Sequence, residues 1–162
     1  MKSVSGGNRE GARALEEIQI ASFNQDEADI AAFMKRNWVV TSSGASAGHP
    51  RYYGSFARKF ATYVRERKVI DLQTFIASST VRTARMFGLK DRGELRSGNF
   101  ADVIVFDPSR FAPRADYAHP TRFSTGMQTV MVNGSIAIDN GEPTGIAAGH
   151  PIARPAKEGT CR

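Results

Sequence analysis

Residues 18–41 read IQIASFNQDEADIAAFMKRNWVVT, and this stretch decides the expected fold. Residues 18–23 alternate around β-branched side chains and favour a strand. A helix is expected over residues 26–36, with its apolar side chains on one face and Asn24 as its N-cap. Residues 38–41 are a short apolar run typical of a buried strand. Strand, helix and strand in this order predict an α/β fold with a parallel βαβ unit.

The loop after this unit consists of seven small residues, SSGASAG, at positions 42–48. Small residues permit unusual backbone angles and the close approach of a ligand. In α/β folds, functional sites gather at the C-terminal ends of parallel strands. The loop is therefore the first candidate for a functional site.

Two helices are expected C-terminal to the loop. The first covers about residues 53–67. The second begins with Asp71 as its N-cap and ends near Gly88, where glycine can adopt the left-handed conformation. Further along, strands are expected over residues 101–106 and 129–132, and Asn133-Gly134 is a strong signal for a type I′ hairpin into residues 136–138.

The composition is that of an ordinary globular protein. The chain has 162 residues, of which 41% are hydrophobic and 23% are charged, with a formal net charge of +6. The basic residues are scattered, which favours a solvated surface over a nucleic-acid site. No apolar run is long enough to span a membrane, and no secretory signal is recognisable at the N-terminus. With Cys161 as its single cysteine, the chain is expected in the cytoplasm.

Four segments, taken in order, resemble the N-acyl-D-amino-acid deacylases of the amidohydrolase superfamily. The likeness covers about residues 17–150, and the Gly-x-x-Ala-Asp-hydrophobic pattern in the third segment alone would indicate only the wider superfamily. The segments are FNQDEADIAAFMKRNWVVTSS (23–43), GHPRYYGSFARKFATYVRERKV (48–69), GLKDRGELRSGNFADVIVFDP (88–108) and MVNGSIAIDNGEPTG (131–145).

The resemblance implies the C-terminal βα units of a TIM-like (β/α)8 barrel followed by part of a small β-sandwich. The strands at 18–23 and 38–41 would then be the seventh and eighth strands of the barrel. Such a partial barrel leaves strand edges exposed. The expected organisation is a flexible N-terminal segment with a short helix (1–16), a partial barrel with an extra helix (17–88), a sandwich segment (89–145) and a C-terminal tail (146–162).

The resemblance also implies a zinc-dependent hydrolysis, but this chain lacks the zinc ligands and the catalytic Asp that the reaction requires. In the family, zinc ligands come largely from the first six barrel strands, and an Asp after the eighth strand accepts the proton of the metal-bound water. Alignment on Trp38 and the His-Pro-Arg motif puts Gly44 at the position of this Asp, and a shifted register puts Ser43 there. Neither side chain replaces a carboxylate, so no catalytic residue is expected.

His49 and Arg51 of the His-Pro-Arg motif are the candidate substrate-binding residues. By resemblance, the arginine binds the carboxylate of the N-acyl amino acid, for which a planar guanidinium is a suitable donor. The alternative is that Arg51 pairs with a surface acid. His49, His119 and His150 form no closely spaced pair, so no zinc or other cofactor is expected in this chain alone.

Three hypotheses follow for the function. The first is the C-terminal part of an enzyme that hydrolyses the amide bond of N-acyl-D-amino acids, inactive by itself. The second is a non-catalytic module that associates with itself or with a separately encoded N-terminal half. The third and weakest is nucleic-acid binding through the positive charge.

Overall fold

The computed structural model describes residues 25–44 and 48–152. Helices come first along the chain and strands follow. The helical elements are α1 (Glu27–Met34), α2 (Arg51–Lys59), a π-helical segment (Phe60–Glu66), α3 (Leu72–Ser79) and α4 (Val81–Phe87). The strands are β1 (Val103–Phe106), β2 (Met127–Val132), β3 (Ser135–Asp139) and β4 (Glu142–Pro143).

Helix α1 confirms the helix expected between the first two strands, but its cap differs. Asp26, in extended conformation, accepts a 2.7 Å hydrogen bond from the N–H of Ala28 and so satisfies one of the first helical donors. The expected cap, Asn24, and the strand expected at 18–23 lie outside the described residues. Their pairing therefore stays a prediction.

Residues 38–41 form no strand, so that prediction was wrong. Trp38 is 60% exposed, and its ring lies nearly perpendicular to that of Phe33, with centroids 6.2 Å apart. Thr41 donates its N–H to the carbonyl of Ser78 in α3 at 2.9 Å, so at this point the segment pairs with a helix. An apolar run forms a strand only where a neighbouring strand accepts its backbone bonds, and among residues 25–44 and 48–152 none lies beside it.

The caps of the next helices were predicted correctly, whereas their interiors were not. Asp71 accepts the N–H of Thr74 at 2.7 Å, and Gly88 ends α4 with φ 66°. However, the single helix expected between them is interrupted at Thr80, whose backbone angles of −132° and −94° are not helical. The preceding helix begins at Arg51 and changes to π-helical geometry at Phe60.

The four strands form one antiparallel sheet in the order β1-β2-β3-β4. Asn133 and Gly134 have φ values of 48° and 82°, as a type I′ hairpin requires, so this prediction is confirmed. Asn140 and Gly141 repeat the arrangement with 50° and 86° between β3 and β4, a turn that the sequence analysis missed.

One apolar core joins helices and sheet. Phe60 packs its ring against three other phenylalanines, with ring centroids 5.2–5.6 Å apart. Two of these, Phe106 and Phe111, lie in β1 and just after it, so the core crosses from the helical to the β part. The buried members are Ala57, Phe60, Ile70, Phe75 and Phe111.

The Ala-Asp pair of the superfamily motif has a structural role. Asp102 accepts bonds from the guanidinium of Arg92 and, at 2.9 Å, from the N–H of Asn133 in the β2–β3 turn. Burial disfavours ionisation of Asp102, but these two donors outweigh it and keep its pKa below the ordinary value. Asp102 of this motif therefore holds the β2–β3 hairpin in place.

None of the helices in the described residues is long and apolar enough to cross a membrane.

Candidate functional site

The His-Pro-Arg motif forms the N-terminus of α2. Pro50 occupies the cap position but cannot cap with its side chain. Instead, Nδ1 of His49 accepts the N–H of Arg51 at 3.0 Å, and the His49 carbonyl accepts the N–H of Tyr52 at 3.2 Å. This bond requires a lone pair on Nδ1, so the imidazole carries its proton on Nε2. His49 thus holds the start of the helix that presents Arg51.

Tyr117 joins this site from far along the chain, and the sequence analysis missed it. Its hydroxyl lies 3.5 Å from Nε2 of His49, and the two rings meet edge to face at 5.3 Å. Asp116 shapes the turn by accepting the N–H of His119 at 2.6 Å. This bond also holds the pKa of Asp116 below its ordinary value. The Asp-x-x-His spacing indicates such a turn, but no local pattern predicts that Tyr117 contacts His49.

Packing of the β1–β2 loop against α2 brings Tyr117 into place. The side chain of Arg58 donates to the carbonyl of Ala115 at 3.4 Å, and Ala115 is buried. Ser124 donates to the carbonyl of Tyr53 at 3.1 Å. Gly54 is buried against Pro113, and a Cβ there would lie in ordinary contact with the proline ring, at 3.4 Å. The loop is therefore fixed to α2 at Tyr53 and Gly54 and again near the end of the helix, at Arg58.

Gly44 lies directly beneath the side chain of Arg51. A Cβ on Gly44 would be 2.5 Å from Nε and 2.8 Å from Cδ of Arg51. These separations are shorter than any non-bonded contact allows, so Arg51 occupies the space that a side chain at position 44 would need. Gly44 and His49 therefore both lie against Arg51, Gly44 beneath its side chain and His49 at its backbone N–H. The intervening residues 45–47 lie outside the described range.

The side chains that could hold a metal ion do not converge. Among residues 25–44 and 48–152, no three His, Cys, Asp or Glu residues are close enough to share an ion. Nδ1 of His49 accepts the N–H of Arg51, and Nδ1 of His119 lies 3.3 Å from Oδ1 of Asp116. The described donors therefore do not fit the zinc site of the deacylases, and Cys161 lies outside the described residues.

A second polar cluster lies beside the start of the same loop. Nζ of Lys59, at the end of α2, donates to Oγ1 of Thr41 at 2.6 Å and to Oγ of Ser78 at 3.0 Å. Ser79 also donates to the Thr41 hydroxyl, at 3.1 Å. Burial, and then the positive charge of Arg82, lower the pKa of Lys59 to about 8. No sequence motif marked this cluster.

Residues 21–138 match the sequence profile of the Amidohydrolase family. The match covers more than half of the chain, which therefore belongs to the amidohydrolase family.

Within the family, the chain is similar to enzymes that act on N-acyl-D-amino acids. D-aminoacylase from Alcaligenes xylosoxydans xylosoxydans is 41% identical over 108 residues, which are 67% of this chain and 22% of that enzyme. N-acyl-D-glutamate deacylase from the same organism is 43% identical over 96 residues, or 59% and 20% of the two chains. The chain spans about a fifth of the length of these curated relatives.

Among solved structures, too, the chain is similar to enzymes of this kind. A D-aminoacylase mutant in complex with copper chloride matches with a TM-score of 0.75 and 33% identity, over 80% of this chain and 28% of that one. N-acyl-D-glutamate deacylase from Bordetella bronchiseptica, complexed with zinc and a phosphonate inhibitor, matches with a TM-score of 0.54 and 42% identity, over 59% and 21%. The mixed α/β fold of the chain is thus that of part of these enzymes.

Proposed function

We propose that this chain is a carboxylate-binding portion of an amidohydrolase for N-acyl-D-amino acids, and that it does not hydrolyse them by itself. In this proposal, residues 17–88 belong to the last βα units of a (β/α)8 barrel and residues 89–145 to a small sandwich. The similarity to D-aminoacylase supports the substrate class. The contact between Arg51 and Gly44 supports the two other parts of the proposal, carboxylate binding and the lack of hydrolysis.

That contact supports binding without turnover. Arg51 is exposed and lies at the N-terminus of α2, where its guanidinium can bind a carboxylate with two parallel hydrogen bonds. By resemblance, position 44 should hold the carboxylate that removes a proton from the attacking water. Glycine offers no such group, and the space is filled by a cation, which cannot accept a proton. Amide hydrolysis needs that proton transfer.

Calorimetric titration with N-acetyl-D-glutamate at low ionic strength tests the binding half of this proposal. We expect saturable binding that weakens at least about tenfold in Arg51→Gln, because one charge-assisted pair is worth roughly 1.5–3 kcal/mol. Arg36→Gln, which removes another exposed arginine, is the matched control and should bind like the wild type. Equal binding by both variants would assign the carboxylate contact to another residue and sink the proposal.

The second candidate function is association with another chain, and helix α1 is the observation that favours it. None of its residues is buried. Phe33, near its end, is 55% exposed and Trp38 is 60% exposed, so two large apolar side chains lie together at the surface. Neighbouring exposed apolar residues often mark an interface.

Light scattering coupled to size-exclusion chromatography tests this association. We expect the wild type to self-associate as concentration rises, and Phe33→Ser with Trp38→Ser to reduce it. A separately encoded N-terminal half, where one exists, should co-purify with the wild type and not with the double variant. A folded monomer at every concentration that binds no such half would contradict the second function.

A further inference from the structure

Lys59 has surroundings that differ from those of the other described lysines. Its amine is held between the Thr41 segment and α3 by two hydroxyl acceptors, and it lies 5.9 Å from the centre of the Phe75 ring. Lys35, Lys68 and Lys90 are exposed. Lys59 is partly buried, and one of its acceptors, Ser78, is 2% exposed.

The charge of Lys59 is poorly compensated. Among the described residues, the ion pairs within 4.0 Å join other partners, and no carboxylate is paired with Lys59. The charged neighbour that acts on it is Arg82, of the same sign. Hydroxyl groups are weaker partners for an ammonium than a carboxylate is. The site therefore favours loss of the positive charge.

We propose that the Lys59 amine is a covalent modification site that reacts with small acyl donors such as acyl phosphates in preference to the exposed lysines. The neutral nitrogen attacks the carbonyl carbon, a C–N bond forms, and the C–O bond to the phosphate breaks. The phosphate leaves with the electron pair, and the proton from nitrogen passes to it or to water. The product is an uncharged amide beside Arg82.

Two features of the site favour this reaction. With a pKa of about 8, about a tenth of the Lys59 amines are neutral at pH 7, against fewer than about one in a thousand for an ordinary lysine. Hydroxyl groups of Thr41 and Ser78 lie 2.6 Å and 3.0 Å from the nitrogen. They can donate to the carbonyl oxygen as it gains negative charge.

Competitive labelling with acetyl phosphate at pH 7, read by mass spectrometry of the peptides, tests the proposal. Rates in the folded protein are divided by those in urea to remove differences between peptides. We expect Lys59 to be acetylated at least about threefold faster than the mean of Lys35, Lys68 and Lys90. The advantage should largely disappear near pH 10.5, where about half of the ordinary lysines are neutral as well. A Lys59 that reacts no faster than these three at pH 7 would overturn the proposal.

A pair of variants tests the role of the neighbouring charge. Arg82→Gln removes the like charge, so the amine should be protonated more often. The acetylation rate of Lys59 relative to the three exposed lysines should then fall by half or more at pH 7. Arg85→Gln removes an arginine one turn later that pairs with Glu94, and it should leave this relative rate unchanged. Circular dichroism confirms that both variants fold. An unchanged relative rate in Arg82→Gln would contradict the proposed role of the Arg82 charge.

Discussion

At the scale of single residues, the contact of Arg51 with Gly44 decides what the candidate site can do. The φ of Gly44 lies outside the left-handed region, so its backbone accepts other residues. The three atoms nearest to a Cβ at this position all belong to the side chain of Arg51. The motifs predicted that these two positions belong to one site. They could not predict that one occupies the space of the other, because sequence motifs do not specify side-chain contacts across a loop.

Replacing Gly44 by Asp should turn Arg51 away from ligands. The new Cβ forces the guanidinium to move, and the carboxylate then pairs with it in place of a ligand. We expect affinity for N-acetyl-D-glutamate, measured by calorimetry, to fall about tenfold, corresponding to roughly 1.4 kcal/mol. Gly44→Ala is the matched control, because it displaces Arg51 without offering a charge. If Asp and Ala weaken binding equally, the loss is steric and the ion pair does not form.

Lys59 should lower stability at neutral pH. Its folded pKa of about 8 lies below the ordinary 10.5, so below pH 8 both states are protonated and the cost of the buried charge is fully present. Between the two values the unfolded chain binds more protons, and stability rises with pH. After allowance for solvent screening, Lys59→Met should raise the free energy of unfolding at pH 7 by about 1 kcal/mol.

Urea denaturation at pH 7 and pH 10 measures this effect. The gain from Lys59→Met should shrink at the higher pH, where the wild-type lysine is neutral in the folded state. Lys90→Met, at an exposed position, controls for the general effect of losing one charge. A gain that is the same at both pH values would show that the charge of Lys59 is not its source.

At the scale of elements, the sequence predicted what depends on neighbouring residues and failed where distant ones decide. Asp71, Gly88 and Asn133-Gly134 were read correctly because caps and tight turns depend on local backbone chemistry. The irregular path of residues 38–41 depends on a tertiary contact. The bond from Thr41 to Ser78 crosses 37 residues, a distance that local patterns do not cover.

Gly126, directly before β2, should be the glycine least tolerant of substitution in this region. Its φ is 80°, and a Cβ there would lie 2.5 Å from the backbone nitrogen of Phe111, which cannot move aside as a side chain can. Gly145 has a similar φ of 81° with nothing within 4 Å. Gly126→Ala should therefore cost about 2–4 kcal/mol, and Gly145→Ala about 1 kcal/mol from backbone strain alone.

Thermal and urea denaturation of the two alanine variants separate strain from steric clash. Gly149→Ala serves as a further control, because it has open space and no left-handed φ. Equal losses in Gly126→Ala and Gly145→Ala would mean that the loop around Phe111 moves freely, against the packing described for the core.

At the scale of the whole molecule, helices and sheet share one core, because Phe111 and Phe106 pack on Phe60 of the π-helical segment. Arg65 strengthens this link by donating to the carbonyls of Pro108, Ser109 and Phe111 at 3.1–3.3 Å. The sequence predicted apolar residues in both the helical and the β part, but it did not predict that they contact each other. We therefore expect helices and sheet to unfold in a single transition.

Acetate release from N-acetyl-D-glutamate, followed by proton NMR with added zinc, tests the central claim most directly. The same sample reports binding through broadening of the ligand signals. We predict broadened ligand signals and no acetate above that of a protein-free control. Zinc-dependent acetate that accumulates with the wild-type chain and disappears in Arg51→Gln would contradict a site that binds carboxylates without turning them over.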